Sequence, residues 1–190
     1  GQIWESANMA ALWKLPMIFC TENNQYGMGT SVERHSSLGE YYKMGNNIPG
    51  IKMAGYNVLA VREGMKMVKQ FCGTGNGPAY VEMDTYRYHG HSMSDPGTTY
   101  RNRDEIDSVR KTRDPIEFIK GLLVELGFAT EDEIKAHVKA VNKDVAAALK
   151  RAQAGSPPVF EDLYEDIYLD EVPKFIRMPD LPQSIGSYSQ

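Results

Sequence analysis

The sequence has only two cysteines, no long apolar run and no excess of basic residues. Among 190 residues, Cys20 and Cys72 lie 52 positions apart in apolar surroundings. This spacing excludes a CxxC metal pair and argues against a disulfide framework, so we predict two buried thiols in a reducing compartment. The net charge of −4, without a basic stripe, argues against nucleic-acid binding. We expect no membrane span, because no apolar run approaches the roughly 20 residues that one requires.

The remaining composition is that of an ordinary globular protein, with 42% hydrophobic and 24% charged residues. Hydrophobic periodicity and capping signals predict alternating strands and helices. Strands are expected at 17–21, 51–54, 58–61 and 78–85, and helices at 2–15, 37–43, 62–72, 114–127 and 130–154. This order predicts an α/β fold with a mostly parallel sheet flanked by helices.

Three regions are expected along the chain. Residues 1–113 are predicted to belong to the α/β domain and residues 114–156 to a helical continuation of it. Asp114-Pro115 and Thr130 are suitable starting points for the two helices of that continuation. Residues 157–190 begin with two prolines and become Pro-rich again toward the end of the segment. They are expected to form an extended tail that lies on the domain or on another subunit.

The stretch Leu15–Thr30 is the first candidate site. A short apolar run after Pro16 predicts a fully buried parallel strand, which breaks into two asparagines, an aromatic residue and two glycines. Ligands of open parallel sheets lie beyond the carboxyl ends of the strands. The side chain of Asn24 and the backbone carbonyl of Tyr26 are neutral oxygen donors of the kind that Mg²⁺ accepts. The alternative is a plain Asn-rich turn, since Asn and Gly dominate turns for backbone reasons.

The segment 86–103 has no hydrophobic period, and long loops inside compact domains are usually functional. His89 and His91 flank a glycine in what is expected to be a flexible turn, and imidazole suits proton transfer or charge stabilisation at a phosphate. A second interpretation is a metal site made of His89, His91 and Asp95. A third is a polar surface loop with two incidental histidines. Arg87 and Arg101 are expected to hold the loop against anionic neighbours.

Two motifs in these segments resemble a known family over residues 1–168. The first, GQIWESANMAALWKLPMIFCTENNQYGMGT, is similar to the closing half of the thiamine-diphosphate motif of the 2-oxo acid dehydrogenases. The second, TYRYHGHSMSDPGTTYR, resembles the regulated active-site loop of pyruvate dehydrogenase alpha subunits. The Gly-Asp-Gly that opens the first motif in the family is not in this sequence. The resemblance therefore implies the carboxyl-terminal half of such a subunit.

The resemblance also implies roles for single residues and a set of ligands. Asn24 and Tyr26 would bind Mg²⁺ and, through it, the diphosphate of thiamine diphosphate, together with an aspartate of the missing Gly-Asp-Gly. His91 would reach the cofactor and take part in catalysis. Ser92 would be phosphorylated, with Ser31 and Thr99 as further candidates, although Thr99 stands where many members have serine.

The activity implied by the resemblance is decarboxylation of pyruvate and transfer of the acetyl group to a lipoyl group, which yields acetyl-CoA and CO2 in the whole complex. The implied partners are a beta subunit in an alpha2-beta2 heterotetramer, the lipoyl domain of an acetyltransferase, and a regulatory kinase and phosphatase. The implied compartment is the mitochondrial matrix. Alternatives are a branched-chain 2-oxo acid or acetoin dehydrogenase alpha subunit, a metal-dependent hydrolase that uses the histidines, and a non-catalytic assembly module.

Overall fold

A computed structural model of the chain describes residues 1–45 and 47–164. Its helices and strands follow one another in an order typical of α/β proteins. In chain order they are α1 (Gln2–Leu12), β1 (Ile18–Asn23), β2 (Tyr26–Gly27), β3 (Thr30–Ser31), α2 (Val32–His35), β4 (Gly50–Ala54), α3 (Val58–Phe71), β5 (Ala79–Asp84), α4 (Arg103–Arg113), α5 (Pro115–Glu125) and α6 (Glu131–Ala154). Short 3-10 helices occupy Tyr41–Lys43 and Phe160–Tyr164, and a π-helical segment occupies Cys72–Asn76.

Three strands form a parallel sheet in the order β1-β5-β4. The first four residues of the central strand β5 are buried, as expected for a strand that is covered on both faces. The pairing of β1 with β5 sets Thr21 opposite Glu82 and Asn23 opposite Asp84. Strands β2 and β3 form a separate antiparallel hairpin. The predicted α/β fold with a parallel sheet is confirmed.

The two faces of the sheet carry separate apolar clusters. Ala79 and Val81 of β5 lie on one face, where they pack with Met53 of β4 and with Val68 and Cys72 from α3 and the segment that follows it. Side chains alternate along a strand, so Tyr80 points to the opposite face. There it packs with Ala7 of α1 and with Ile48, and its ring stacks on Trp4 at 5.7 Å between centroids. The sheet therefore has a helix on each face, as predicted.

Local capping chemistry explains where several helices begin. Asp114 accepts hydrogen bonds from the backbone amides of Ile116 at 2.9 Å and Glu117 at 3.0 Å, with Pro115 in the first turn. The backbone amide of Thr130 donates to the Glu133 carboxylate at 2.8 Å, and the Glu133 amide donates back to the Thr130 hydroxyl at 3.3 Å. Both predicted helix starts are confirmed, and each follows from residues no more than three positions apart.

Two predicted elements are wrong, and one helix was not predicted. Residues 58–61 belong to α3, not to a strand, because Asn57 caps the helix by accepting from the amides at positions 59 and 60. The helix predicted at 37–43 is reduced to the 3-10 turn at Tyr41–Lys43. Helix α4 lies in a segment for which no helix was predicted; it is strongly polar, with Ile106 and Val109 as its two apolar residues. Its amino terminus is capped by Asn102, which accepts from the Glu105 amide at 2.7 Å.

The prediction of two buried thiols is half right. Cys72 is buried, whereas Cys20 is exposed. Strand β1 is an edge strand of the described sheet, and Cys20 and Glu22 form an exposed row on it. The expectation that this strand is fully buried is therefore wrong for the part of the chain that the structure describes.

Contacts divide the chain into two units, residues 1–134 and 135–190. The predicted three-part organisation stays a prediction, and most of the predicted extended tail lies outside the described residues. Among the helices of the described ranges, none is both long and apolar enough to cross a membrane.

Candidate functional site

The turn after β1, residues 23–26, is held by the carboxylates of the central strand; we call it the Asn turn. The buried Asn23 donates from Nδ2 to Oε1 of Glu82 at 2.8 Å, and its Oδ1 accepts from the Gln25 amide at 3.0 Å. The Gln25 side chain donates to Asp84 at 2.6 Å. Gln25 has a φ of 67°, a left-handed conformation that costs a non-glycine residue about 1–2 kcal/mol and requires such support.

Asn24 lies between these two anchored neighbours. It is half-buried, and its carboxamide makes no hydrogen bond to any residue within 1–45 or 47–164. An amide oxygen left open between two fixed residues is suited to bind a ligand from outside the chain. The predicted ligand atom, Oδ1 of Asn24, is therefore not occupied by another hydrogen bond within the described residues and is available to a metal.

Tyr26 connects the Asn turn with the long loop that follows β5, residues 85–102, which we call the His loop. The Tyr26 carbonyl accepts a long hydrogen bond from Arg87 at 3.4 Å. Because a carbonyl oxygen has two lone pairs, one remains available to a metal. The Tyr26 hydroxyl donates to Glu105 of α4 at 2.9 Å. Both predicted ligands thus lie in one turn, beyond the carboxyl end of β1.

Arg101 is the centre of the His loop and is only 5% exposed. Its guanidinium donates to the carbonyls of Gly97 at 3.0 Å, Tyr88 at 3.0 Å and His89 at 2.9 Å, and also to that of Arg87. It lies 5.2–5.7 Å from three tyrosine rings, at positions 26, 86 and 100. A guanidinium presents five donors in a fixed plane, which suits this arrangement. Arg101 therefore holds the loop through carbonyl oxygens and aromatic rings, not through the anionic neighbours that were predicted.

Glu105 joins the two segments to α4. Its Oε1 accepts from the hydroxyls of Tyr26 at 2.9 Å and Tyr86 at 2.8 Å. Burial, and then the bond to the Glu105 carboxylate, raises the pKa of Tyr86 to about 12. The phenol therefore stays a neutral donor at physiological pH, and the stability that this bond contributes is lost only as the pH rises towards 12.

Asp95 organises the tip of the His loop. Its carboxylate accepts from the amides of His91 at 2.8 Å and Gly97 at 2.7 Å and from the Tyr100 hydroxyl at 2.8 Å. The His91 amide, then that of Gly97 and the Tyr100 hydroxyl, lower the pKa of Asp95 to about 2. Asp95 is therefore ionised at neutral pH and acts as an anchor for the loop.

The metal site suggested by His89, His91 and Asp95 is not assembled. Within the described ranges, no three His, Cys, Asp or Glu side chains are close enough together to hold a metal. The Asp95 oxygens are occupied by the loop itself. The ligand set on which the hydrolase interpretation was based is therefore not formed by these residues. Both histidines are exposed, and the His91 backbone is fixed through its amide.

The three candidate phosphorylation sites lie in different surroundings. Ser92 is exposed at the tip of the His loop, with its hydroxyl 3.2 Å from that of Ser94. Thr99 is exposed further along the same loop. Ser31 lies at the end of the β2-β3 hairpin and lines a cleft of about 350 Å³ that Tyr26, Tyr86 and Glu105 also line. The structure therefore brings Ser31 close to the Asn turn and leaves the other two on the loop.

Several residues of the site were not predicted from the sequence. Glu82, Asp84, Gln25 and Glu105 support the predicted ligands without being ligands themselves. Glu82 and Asp84 had a visible signal, because both are acids inside the apolar strand segment PAYVEMDT. The others depend on which elements come together in space.

Comparison with known proteins places this arrangement in a family. The Dehydrogenase E1 component family matches residues 1–160. The chain belongs to this family. An alpha subunit of the pyruvate dehydrogenase E1 component from Saccharomyces cerevisiae, named as mitochondrial, is 51% identical over 89% of this chain and 41% of its own length. A probable alpha subunit of the same component from Caenorhabditis elegans is 50% identical over 97% of this chain and 47% of its own length.

The somatic form from Bos taurus is 48% identical over 93% of this chain and 45% of that relative. The chain thus spans a little under half the length of the curated relatives that it matches. The family and the fold are settled by these matches, since they extend over nearly all of the described residues.

The His loop requires glycine at position 90. A Cβ at this position would lie 1.9 Å from the Asp95 carbonyl oxygen, so glycine is required by close contact. Gly90→Ala should cost about 1–3 kcal/mol of local stability and make opening of the loop about 5- to 150-fold more frequent. The rate of tryptic cleavage after Arg87 and Arg101 measures this opening. Gly121→Ala, where a Cβ meets nothing within 4 Å, is the matched control. Equal cleavage rates in the two variants would contradict the prediction.

Proposed function

We propose that this chain is part of the alpha subunit of a pyruvate dehydrogenase (acetyl-transferring), an enzyme that decarboxylates pyruvate and transfers the acetyl group to a lipoyl group. In the whole complex this reaction leads to acetyl-CoA and CO2. The observation that carries the proposal is the open carboxamide of Asn24, held between anchored neighbours beyond the carboxyl end of a parallel strand. The names of the relatives support the choice of pyruvate.

The residues of the Asn turn fit a thiamine diphosphate and Mg²⁺ site. Asn24 Oδ1 and the Tyr26 carbonyl would bind the ion, and both are neutral oxygen donors, which leaves the negative charge to a diphosphate. Thiamine diphosphate, when bound, supplies the electron sink for decarboxylation. The protein contributes orientation: Glu82 and Asp84 fix the residues on either side of Asn24.

His91 is the proposed catalytic group of the His loop. Its backbone is fixed by Asp95, while its imidazole remains exposed and able to contact a cofactor. An imidazole changes protonation near neutral pH, so it can move a proton or stabilise charge at a phosphate. Arg101 and Asp95 hold the loop that presents it.

The proposal implies partners and a location. A pyruvate dehydrogenase beta subunit would complete an alpha2-beta2 heterotetramer, and the lipoyl domain of dihydrolipoyl acetyltransferase would accept the acetyl group. A kinase and a phosphatase would act on Ser92, Thr99 and Ser31. The location would be the mitochondrial matrix; the names of the relatives support a mitochondrial location. The assignment of pyruvate as the substrate is tested by comparing its turnover with that of branched-chain 2-oxo acids and acetoin. Faster turnover of either alternative would overturn this assignment.

The metal assignment is tested at Asn24. Asn24→Ala in the intact protein, assembled with its beta subunit, should weaken the binding of Mg²⁺ and thiamine diphosphate together by at least about tenfold, because loss of a ligand should cost no less than the roughly 10- to 100-fold typical of residues that support ligands. Titration calorimetry measures both affinities. The exposed neighbour offers a matched control, Glu22→Gln, which should bind both normally. Unchanged affinities in Asn24→Ala would refute the assignment.

The two histidines are separated by a second pair of variants. His91→Ala should lower the turnover of pyruvate by at least about 100-fold, the usual range for loss of a proton-transfer group. His89→Ala should stay within about tenfold of the parent, because the loop uses the carbonyl of His89 and not its ring. Steady-state kinetics with a lipoyl acceptor measures both. Equal losses would show that His91 has no special role.

Regulation is tested at Ser92. A phosphate there adds about −1.5 to −2 charge three residues from the ionised Asp95, whose amide also donates to the Ser92 carbonyl at 3.1 Å. We expect phosphorylation to abolish activity and Ser92→Glu to lower it strongly. Ser92→Ala should remain active and resist inactivation. Turnover is measured before and after kinase treatment, with Ser31→Ala and Thr99→Ala present to remove other acceptors. Full activity with one phosphate per Ser92 would end the hypothesis.

A further inference from the structure

The carboxylate of Glu82 lies in the middle of the sheet and is completely buried. Its Oε1 accepts from Asn23 at 2.8 Å, and its Oε2 accepts from the backbone amide of Tyr42 at 3.0 Å. The amine of Lys52, on the neighbouring strand β4, lies 3.6 Å from Oε1. Burying a carboxylate is unfavourable, and hydrophobic residues of similar volume often serve stability as well. The proposed reaction does not use Glu82, so its presence calls for another explanation.

The contacts of Glu82 determine which way the Asn23 amide faces. A carboxylate can only accept, so the Asn23 amino group must point to Glu82 and the Asn23 oxygen must point away from it. That oxygen accepts from the Gln25 amide at 3.0 Å. The bond closes the Asn turn and supports the left-handed conformation of Gln25 at φ 67°.

Asp84 supports the same turn from its other end. Residues two apart on a strand lie on one face, so Glu82 and Asp84 point the same way from β5. Asp84 accepts from the Gln25 side chain at 2.6 Å, and its second oxygen pairs with Arg113 of α4 at 2.8 Å. Asn24 is therefore the one residue of 23–25 whose side chain these carboxylates leave open.

We propose that Glu82 is a positioning residue for the metal site: through Asn23 it sets the shape of the Asn turn, and thereby the places of the Asn24 oxygen and the Tyr26 carbonyl. This inference rests on the proposed function, since it assigns these two oxygens to the metal. Glu82 itself touches neither metal nor cofactor. It acts by the direction of one hydrogen bond, and that direction can be reversed by substitution.

The reversal uses two single variants and their combination. Glu82→Gln leaves one acceptor oxygen for two donors, so either Asn23 or the Tyr42 amide loses its partner. Asn23→Asp sets a second carboxylate against Glu82 across a 2.8 Å contact. In the double variant the new carboxamide at 82 donates to the new carboxylate at 23 and still accepts from the Tyr42 amide. The carboxylate at 23 still accepts from Gln25, so every hydrogen bond of the turn is restored.

Two readouts are compared in the intact protein assembled with its beta subunit. The first is the affinity for Mg²⁺ in the presence of thiamine diphosphate, measured by calorimetry. We expect each single variant to lose about 10- to 100-fold, as is usual for groups that orient metal ligands, and the double variant to recover to within about fivefold of the parent. The second is hydrogen exchange of the backbone over 22–28, which should be faster in both single variants and normal in the double variant. Lys52→Gln, which removes only the 3.6 Å ion pair, is the control and should retain parental values in both.

The outcomes separate this inference from the proposed function. Single variants that bind Mg²⁺ as the parent does, while their unfolding temperatures fall, would reduce Glu82 to a structural role and overturn the inference. A double variant that fails to recover, or fails to fold, would also overturn it, because its hydrogen bonds are the same in number. If the parent binds no thiamine diphosphate, the proposed function fails. The exchange of residues 22–28 in the four proteins then still decides whether Glu82 shapes the turn.

Discussion

The parallel pairing of β1 with β5 is the constraint on which the site depends. Its register sets Asn23 opposite Asp84 and Thr21 opposite Glu82, so both carboxylates reach the turn that follows β1. A shift of one residue would turn the side chains of a strand to the other face of the sheet. Because Ala79 and Val81 bury their side chains against α3, such a shift would also disrupt the core. The same apolar packing that stabilises the sheet therefore also sets the geometry of the Asn turn.

The His loop is stabilised in a different way, by two ionised side chains, Arg101 and Asp95, whose hydrogen-bond partners are mostly neutral groups. The guanidinium of Arg101 is surrounded by carbonyl oxygens and aromatic rings, and the carboxylate of Asp95 by amides and a hydroxyl. Hydrogen bonds to ionised groups are stronger than neutral ones, and they can order a loop that has few apolar side chains to bury. A loop held by charges is sensitive to added charge. This gives a physical basis for the proposed control by a phosphate, which an apolar core would not provide.

Tyr26 links the Asn turn to the His loop. Its carbonyl is a proposed metal ligand, its ring lies against Arg101 of the His loop, and its hydroxyl donates to Glu105. Movement of the His loop would therefore displace Tyr26 and change the geometry of the Asn turn. Helix α4, which carries Glu105 and Arg113, supports both sides of this contact. The polar residues of this helix thus have their role in contacts to the site.

The features predicted correctly are those whose causes are local. The helix starts at Asp114 and Thr130 each depend on a few adjacent residues, and the strand at 79–84 is marked by its own apolar run. The errors arose where one local pattern permits two structures. Val-Leu-Ala-Val at 58–61 suits a strand or a helix, and the Asn57 cap with burial of Val68 favours the helix. Helix α4 escaped prediction because its two apolar residues, Ile106 and Val109, are too few to give a clear hydrophobic period.

The sequence by itself determined the α/β fold, the candidate ligands Asn24 and Tyr26, and the family to which the chain belongs, because strand patterns and short motifs are read from neighbouring residues. Only the tertiary structure decided that Asn23 serves as a support while Asn24 stays open, and that Arg101 binds carbonyl groups. These choices depend on residues such as Glu82, which lies 59 positions from Asn23 along the chain and 2.8 Å from it in space. A sequence pattern does not contain that distance, which arises only when the two strands pair.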